Sequence, residues 1–418
     1  MAWPRTLAAL SSRNYRLYFG GQCISLIGTW MTQTASLWLV YHLSSSAFLL
    51  GVVGFASQAP IFFLSPFAGV WVDRMNRHRL LLVTQFLSML QSFALAALTY
   101  TGRISPSYLV LLSLAQGMIN AFDLPTRQAL VVAFVDRREH LGNAIALNSS
   151  IFNLARLVGP ALGGFVVAAA GAGGCYLIDG FSYLAVLGSL LAMRLPPKVA
   201  GPARRHAWLE FREAFHYTYG LKPMRILMVT IGLMSFFGFS YSVLTPIFAR
   251  DVFHGDAKVL GYLMSGSGIG ALAGAGYLST RTSIRGLGTV ISLGGAFIAI
   301  GLLGFALSRW LPLSLLSMAI TGAGGVLLMA SSNTVLQTIV EEDKRGRVMS
   351  LFMMAFTGTA PLGNLAMGAL AGKITAPTTL VISSLFCGAI ALMFFRKLPE
   401  IRAAAAPILA KLDLTETT

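Results

Sequence analysis

The chain has 418 residues, 56% of them hydrophobic and only 11% charged, and carries a net charge of +16. A soluble domain holds about 25% charged residues to keep its surface wet, so this composition excludes a water-facing globular protein and points to lipid. The positive excess does not indicate nucleic acid, because it falls in short clusters between long apolar runs, with no interleaved aromatic stripe.

A helix needs about 20 mainly apolar residues to cross about 30 Å of hydrocarbon. In chain order this predicts spans near 15–41, 48–72, 80–101, 106–135, 142–170 and 175–194. A second set follows near 224–249, 259–281, 287–308, 311–340, 347–372 and 376–396. The first apolar run, preceded by Arg13-Asn14-Tyr15-Arg16, is too long for the core of a cleavable signal peptide. With twelve spans, twenty-four of the 31 Lys and Arg residues fall on the side that holds both termini. Only Arg103, Arg250, Lys258, Arg309 and Lys373 fall on the other. Basic residues stay on the cytoplasmic side, so the asymmetry predicts cytoplasmic termini.

The one long polar connection is 195–223. Leu195-Pro196-Pro197 ends the sixth span, and Trp208, Phe211, Phe215 and Tyr219 then recur at helical spacing among Glu210, Arg212 and Glu213. This reads as an amphipathic helix on the inner membrane face. The expected organisation is a six-helix bundle over 1–194, a linker over 195–223, a second bundle over 224–398 and a cytoplasmic tail over 399–418. A weak internal repeat supports two related halves: Leu147 and Phe152 match Leu351 and Phe356 at an offset of 204 residues, and Leu50-Gly51 matches Leu260-Gly261 at 210. Parallel halves place a substrate site at their interface near the bilayer midplane.

Gly69-Val70-Trp71-Val72-Asp73-Arg74-Met75-Asn76-Arg77-His78-Arg79 joins the second and third spans. It resembles the signature loop of the major facilitator superfamily, G-x-x-x-D-R-x-x-R-[RK]-[RK], with His78 as a departure. The resemblance implies the major facilitator fold, twelve transmembrane helices in two pseudo-symmetric bundles. It also implies a cytoplasmic gate latched through Gly69, Asp73, Arg74, Arg77 and Arg79. Gly159, Pro160, Gly163 and Gly164 in the fifth span resemble the G-P-x-x-G-G motif of that superfamily's drug:proton antiporters, which favours export. The usual R-x-x-Q-G of the fourth span is incomplete: Gln116-Gly117 is present, but Ser113 holds the place of the arginine. Asn120-Ala121-Phe122-Asp123-Leu124-Pro125-Thr126-Arg127, Ser149, Asn153, Arg156 and the N-terminal Arg13 to Arg16 are similar to the enterobactin-exporter and macrolide-efflux branch.

Asp123 and Asp179 are the two acidic residues expected within spans. An ion inside the membrane is costly unless it is paired or faces water. Asp123 and Arg127 share a helix face at i,i+4, and the expected polar cluster adds Arg156 and Asn153. Protonation of Asp123 would loosen this cluster; the alternative is a permanent structural ion pair. Asp179 is expected near the outer face with an interfacial role, so the proton-coupling candidates are Asp123, Arg127, Arg156 and Asp179. The parallel-halves arrangement makes Gln22, Trp30, Gln33, Asn120, Asn153, Phe236, Phe237, Tyr241, Asn333 and Gln337 candidates for lining a substrate cavity. The expected function is a secondary active exporter of an amphipathic small molecule, siderophore or drug-like, driven by proton exchange; a lipid or lysophospholipid flippase is the alternative. There is no G-x-x-x-x-G-K-[ST] segment. The titratable groups are too few for an intramembrane enzyme, and Cys23, Cys175 and Cys387 are spaced too widely for a metal site. The expected partners are the small molecule, protons and lipids, around a monomer without cofactors.

Overall fold

The computed structural model describes residues 5–193, 207–281, 283, 286–342 and 344–415, without the side chains of 5, 65–67, 69, 70, 73, 74, 207–211, 214 and 404–415. The expected linker residues 195–206 therefore lie outside the description, as do the side chains of Gly69, Asp73, Arg74, Trp208 and Phe211. Among the described residues the chain is all helix and turn.

The first helices are α1 (Arg13–Ser44), α2 (Ala47–Arg74), α3 (Arg77–Tyr100), α4 (Pro106–Phe134) and α5 (Leu141–Leu191). After α6 (Ala207–Gly220) and α7 (Lys222–Gly238) come α8 (Ala257–Ser279), α9 (Leu287–Leu307), α10 (Leu311–Ile339), α11 (Arg345–Ile374) and α12 (Ala376–Thr415). Ten helices among the described residues are long and apolar enough to cross a membrane, one of them the 54-residue stretch Arg138–Leu191. That stretch bends at Gly171, whose φ of +73° and ψ of 173° give a backbone essentially restricted to glycine. α5 therefore has a first arm before Gly171 and a second arm after it. Short polar residues start the helices on either side of the gate loop and at the next turn. The side chains of Ser46, Asn76 and Ser105 accept from the backbone N–H groups of Leu49, Arg79 and Tyr108.

Two expected boundaries move. The span near 224–249 is not one helix: α7 ends at Gly238 and the chain continues through a 3-10 turn, Ser240–Val243, and a π-helical turn, Phe248–Val252. At the break the Ser240 hydroxyl bonds back to the Phe236 carbonyl at 2.8 Å, and Pro246 stands in the first turn of the helical segment that restarts at Thr245. The last helix runs past 396 to Thr415.

By its contacts the chain forms two compact units, one of residues Met1–Gly201 with Val243–Gly268, the other of Pro202–Ser242 with Ile269–Thr418. In the first unit α1 packs along both arms of α5. Gly159 lies against the Trp30 side chain, and a Cβ on Gly163 would sit 3.0 Å from the Met31 Cα. Small residues let helices close to this distance where lipid provides no hydrophobic drive for association. One end of this unit is a core of Tyr15, Tyr18, Leu81, Leu130, Phe134, Val186 and Leu190, in which the Tyr15 hydroxyl donates to the Ala144 carbonyl at 2.8 Å. In the second unit α9 and α10 cross at Gly294 and Gly324, where a Cβ on Gly324 would lie 2.5 Å from the Gly294 carbonyl. α7 is tied to α11 and α12 through Ser235 to the Phe356 carbonyl, 2.5 Å, and Ser383 to the Phe237 carbonyl, 2.6 Å. On α6, Phe215 stacks on Tyr219, and Glu213 pairs with Arg347 at 3.2 Å.

Candidate functional site

The first unit holds two buried carboxylates with different surroundings. Asp123, on α4, is 3% exposed. Its Oδ1 accepts from the Thr84 hydroxyl at 2.8 Å and from Gln85 Nε2 at 2.7 Å, both on α3. Its Oδ2 accepts from Arg127 Nε at 3.1 Å and Nη2 at 2.6 Å, one turn along α4. Arg127 Nη1 also donates to Gln22 Oε1 on α1. A carboxylate has about four acceptor positions, and here all four are taken by donors. The i,i+4 spacing makes the ion pair; the packing of α1 and α3 completes it.

Asp179, on the second arm of α5, is 2% exposed, about 12 Å beyond Gly171 at 1.5 Å per residue. Its Oδ2 accepts from the hydroxyls of Thr32 on α1, 3.0 Å, and Ser92 on α3, 2.9 Å. Its Oδ1 has no hydrogen-bond partner and faces Gly28, where a Cβ would come within 2.7 Å of it. Among the described residues no cation pairs with it. The two sites share α3, on which Thr84, Ser88 and Ser92 repeat every fourth residue and are all buried. Thr84 meets Asp123, Ser88 accepts from Gln116 at 3.1 Å, and Ser92 meets Asp179. Gln116 bridges on to Asn120, also at 3.1 Å.

The other candidates distribute differently from expectation. Arg156 and Asn153 do not join Asp123: Arg156 Nη2 donates to the Ser267 hydroxyl on α8 at 3.3 Å, and Asn153 bonds back to the Ser149 carbonyl at 2.8 Å. α5 packs on α1 and α3 and hardly touches α4, so a shared polar face on α5 has no route to Asp123. Trp30 sits edge-on to Phe152 at 5.8 Å within the α1–α5 contact, and Gln33 is exposed. In the second unit Phe237 stacks on Phe386 of α12 at 4.5 Å and edge-on to Phe236. Tyr241 is buried, and Gln337 donates to Asn333 at 3.1 Å. In the gate loop, His78 contacts the Leu190 carbonyl at 2.9 Å, and Arg79 is exposed while Arg77 is half-buried. The sequence reading missed Thr32, Thr84, Gln85 and Ser92. The four-residue period of hydroxyls on an otherwise apolar α3 is the signal that identifies three of these positions' helix face.

The first unit also closes on the segment Val243–Gly268. The Tyr41 hydroxyl donates to Asp251, and Arg250 lies over the Tyr41 ring at 5.5 Å while donating to the Tyr41 carbonyl at 3.2 Å and the Ser45 hydroxyl at 3.1 Å. Below this cap the first arm of α5 meets α8 backbone to backbone. A Cβ on Gly164 would lie 2.5 Å from the Ala257 carbonyl, and one on Gly261 would lie 2.5 Å from the Pro160 carbonyl. The Gly-Pro motif thus gives α8 a close docking surface. On the flank of the unit an open groove of about 730 Å³ between α1 and both arms of α5 is lined almost wholly by apolar groups, Ile24, Ile27, Leu162, Val166, Ile178 and Phe181 among them.

Comparison with known proteins matches this architecture. Residues 5–414 match the family described as transmembrane secretion effector, MFS_3. The staphyloferrin A transporter of Staphylococcus aureus is 26% identical, over 91% of this chain and 95% of its own length. The multidrug efflux pump Tap of Mycolicibacterium fortuitum is 26% identical with the same coverage. The enterobactin exporter EntS of Citrobacter koseri is 24% identical over 97% of both. The crystal structure of the nucleoside transporter NupG (D323A mutant) shares the fold, with a TM-score of 0.69 at 17% identity over 93% of this chain and 99% of that one. The chain belongs to the transmembrane secretion effector family of the major facilitator superfamily and is a multi-pass membrane transporter, not an enzyme.

Proposed function

We propose that the chain is a secondary active exporter that moves an amphipathic small molecule, siderophore or drug-like, outward across the bacterial inner membrane in exchange for protons. It acts as a monomer with twelve crossings, counting α1 and each arm of α5, and with both termini in the cytoplasm. The observation that carries the reading is the pair of buried carboxylates, Asp123 and Asp179, inside a bundle whose full-length relatives export siderophores and drugs. Intramembrane acids of this kind mark ion and proton pathways. The alternating-access movement runs between states with the cavity open to one side, as in inverted and parallel repeat transporters generally. Asn120, Asn333 and Gln337 would offer amide groups to the solute, and the gate loop from Gly69 to Arg79 would latch the cytoplasmic side.

The flank groove between α1 and α5 favours one second reading. An apolar trough of about 730 Å³ facing the lipid suits an acyl chain, which would make the chain a lysophospholipid flippase. One experiment separates the two: uptake into inverted vesicles under an imposed pH gradient, with catecholate siderophores, macrolides and lysolipids offered in turn. Gradient-dependent accumulation of a siderophore or macrolide supports the exporter. Movement of lysolipid alone supports the flippase, and no gradient dependence for any of them rejects proton exchange.

A further inference from the structure

Asp123 and Asp179 have opposite hydrogen-bonding states. All four acceptor positions of Asp123 are filled by donors, two from a guanidinium. Its Oδ2 faces two guanidinium N–H groups, which can only donate, so the geometry binds Asp123 to Arg127 as an ion pair. Among the described residues Asp179 has no cation beside it, one oxygen without a hydrogen-bond partner, and only hydroxyls on the other. A hydroxyl donates or accepts as its rotor turns. Thr32 and Ser92 can therefore serve both the carboxylate and the carboxylic acid without any change of heavy-atom positions. An ionised carboxylate buried without a counter-charge is costly, and taking up a proton relieves that cost.

We propose that Asp179 is the proton-binding site of this carrier, with Asp123 and Arg127 a permanent structural pair. The proton is taken up on the oxygen that lacks a partner and leaves from the same carboxyl group; no other bond changes. Among the described residues no charged side chain lies beside it. On its own helix Asp179 has Cys175 and Tyr183 one turn to either side and the Ser182 hydroxyl three residues on; α1 presents Gly28 and the Thr32 hydroxyl, and α3 presents the Ser92 hydroxyl. Tyr183, one turn on, lies within electrostatic reach of both Asp179 and the Asp123–Arg127 pair. The α3 hydroxyls at 84, 88 and 92 lie on one helix face and extend over about 12 Å from one site to the other. The proposal gives the proton-exchange reading its site, but its test requires no transport.

The test is infrared spectroscopy of the purified full-length protein in lipid across a pH titration, reading the C=O stretch of a buried carboxylic acid. Wild type should show such a band at neutral pH. Asp179→Asn should abolish it and Asp123→Asn should leave it in place. Ser92→Ala should shift its frequency by removing a hydrogen-bond partner, which assigns the band even if Asp179→Asn does not fold. Absence of the band from wild type at every pH, or a band untouched by both Asp179→Asn and Ser92→Ala, overturns the proposal. Failure of gradient-driven transport in vesicles, with the band present and assigned, would reject proton exchange and leave the proton site standing.

Discussion

The Asp123–Arg127 pair allows a quantitative test of the site's architecture. In Asp123→Asn the amide oxygen can still accept from Thr84 and Gln85, but the amide NH2 then faces Arg127 Nε and Nη2, two donors against a donor. Two hydrogen bonds to a charged group are lost, each contributing about 1.5–3 kcal/mol, and the guanidinium remains with a side chain only 22% exposed. The expected loss is about 3–5 kcal/mol, as for removing one partner of a buried pair. Arg127→Met leaves the carboxylate without its cation, and the same range applies. Removing both with apolar residues, Asp123→Leu with Arg127→Met, should cost much less than the two single losses together, because neither charge is stranded. The assay is a double-mutant cycle on reversible denaturation of the purified protein in detergent. Single variants each within about 1 kcal/mol of wild type, or losses that simply add, would refute the view that these groups form one closed unit.

Other outcomes follow from individual contacts. Gly171→Ala places a side chain at φ +73° and ψ 173°, which should lower stability by about 1–3 kcal/mol; an unchanged denaturation midpoint would show that the bend tolerates a Cβ. Gly164→Val drives a side chain into the Ala257 carbonyl and should loosen the α5–α8 contact, read as at least tenfold faster maleimide labelling of a cysteine placed at Ser265. Equal labelling rates in the two backgrounds would count against that docking surface. Glu213→Gln removes an exposed partner of Arg347 and should change stability by less than about 1 kcal/mol; a larger loss would mean that α6 depends on that pair.

The helices were readable in the sequence because lipid imposes a simple requirement, a long apolar run with charge at its ends. Most of their boundaries agree to within a few residues; the exceptions are the span that breaks after Gly238 and the last helix, which continues past the apolar run to Thr415. Pro246 was visible in the sequence, yet hydrophobicity alone carries straight through it and hides the end of α7 at Gly238. Within the site, Asp123 and Arg127 were legible because i,i+4 geometry is local. Arg156 was misassigned because the rotation of one helix about its axis relative to a neighbour is not encoded in spacing; it is settled by packing, here by glycines that draw α5 onto α1 and α8. Gln22 illustrates the same point, expected among cavity residues and found bound to Arg127. The hydroxyls of Thr32, Thr84 and Ser92 look unremarkable one at a time, since such groups usually bond to their own helix.

That arm begins with no connecting loop at all. A 51-residue helix interrupted at a single glycine leaves nothing to absorb extra chain, so a protease site, epitope or fluorescent domain inserted between residues 170 and 172 would pry the two rods apart. The turn at Thr101–Ser105, exposed around Gly102, offers the slack that Gly171 lacks. Reporters meant to watch this carrier at work belong there.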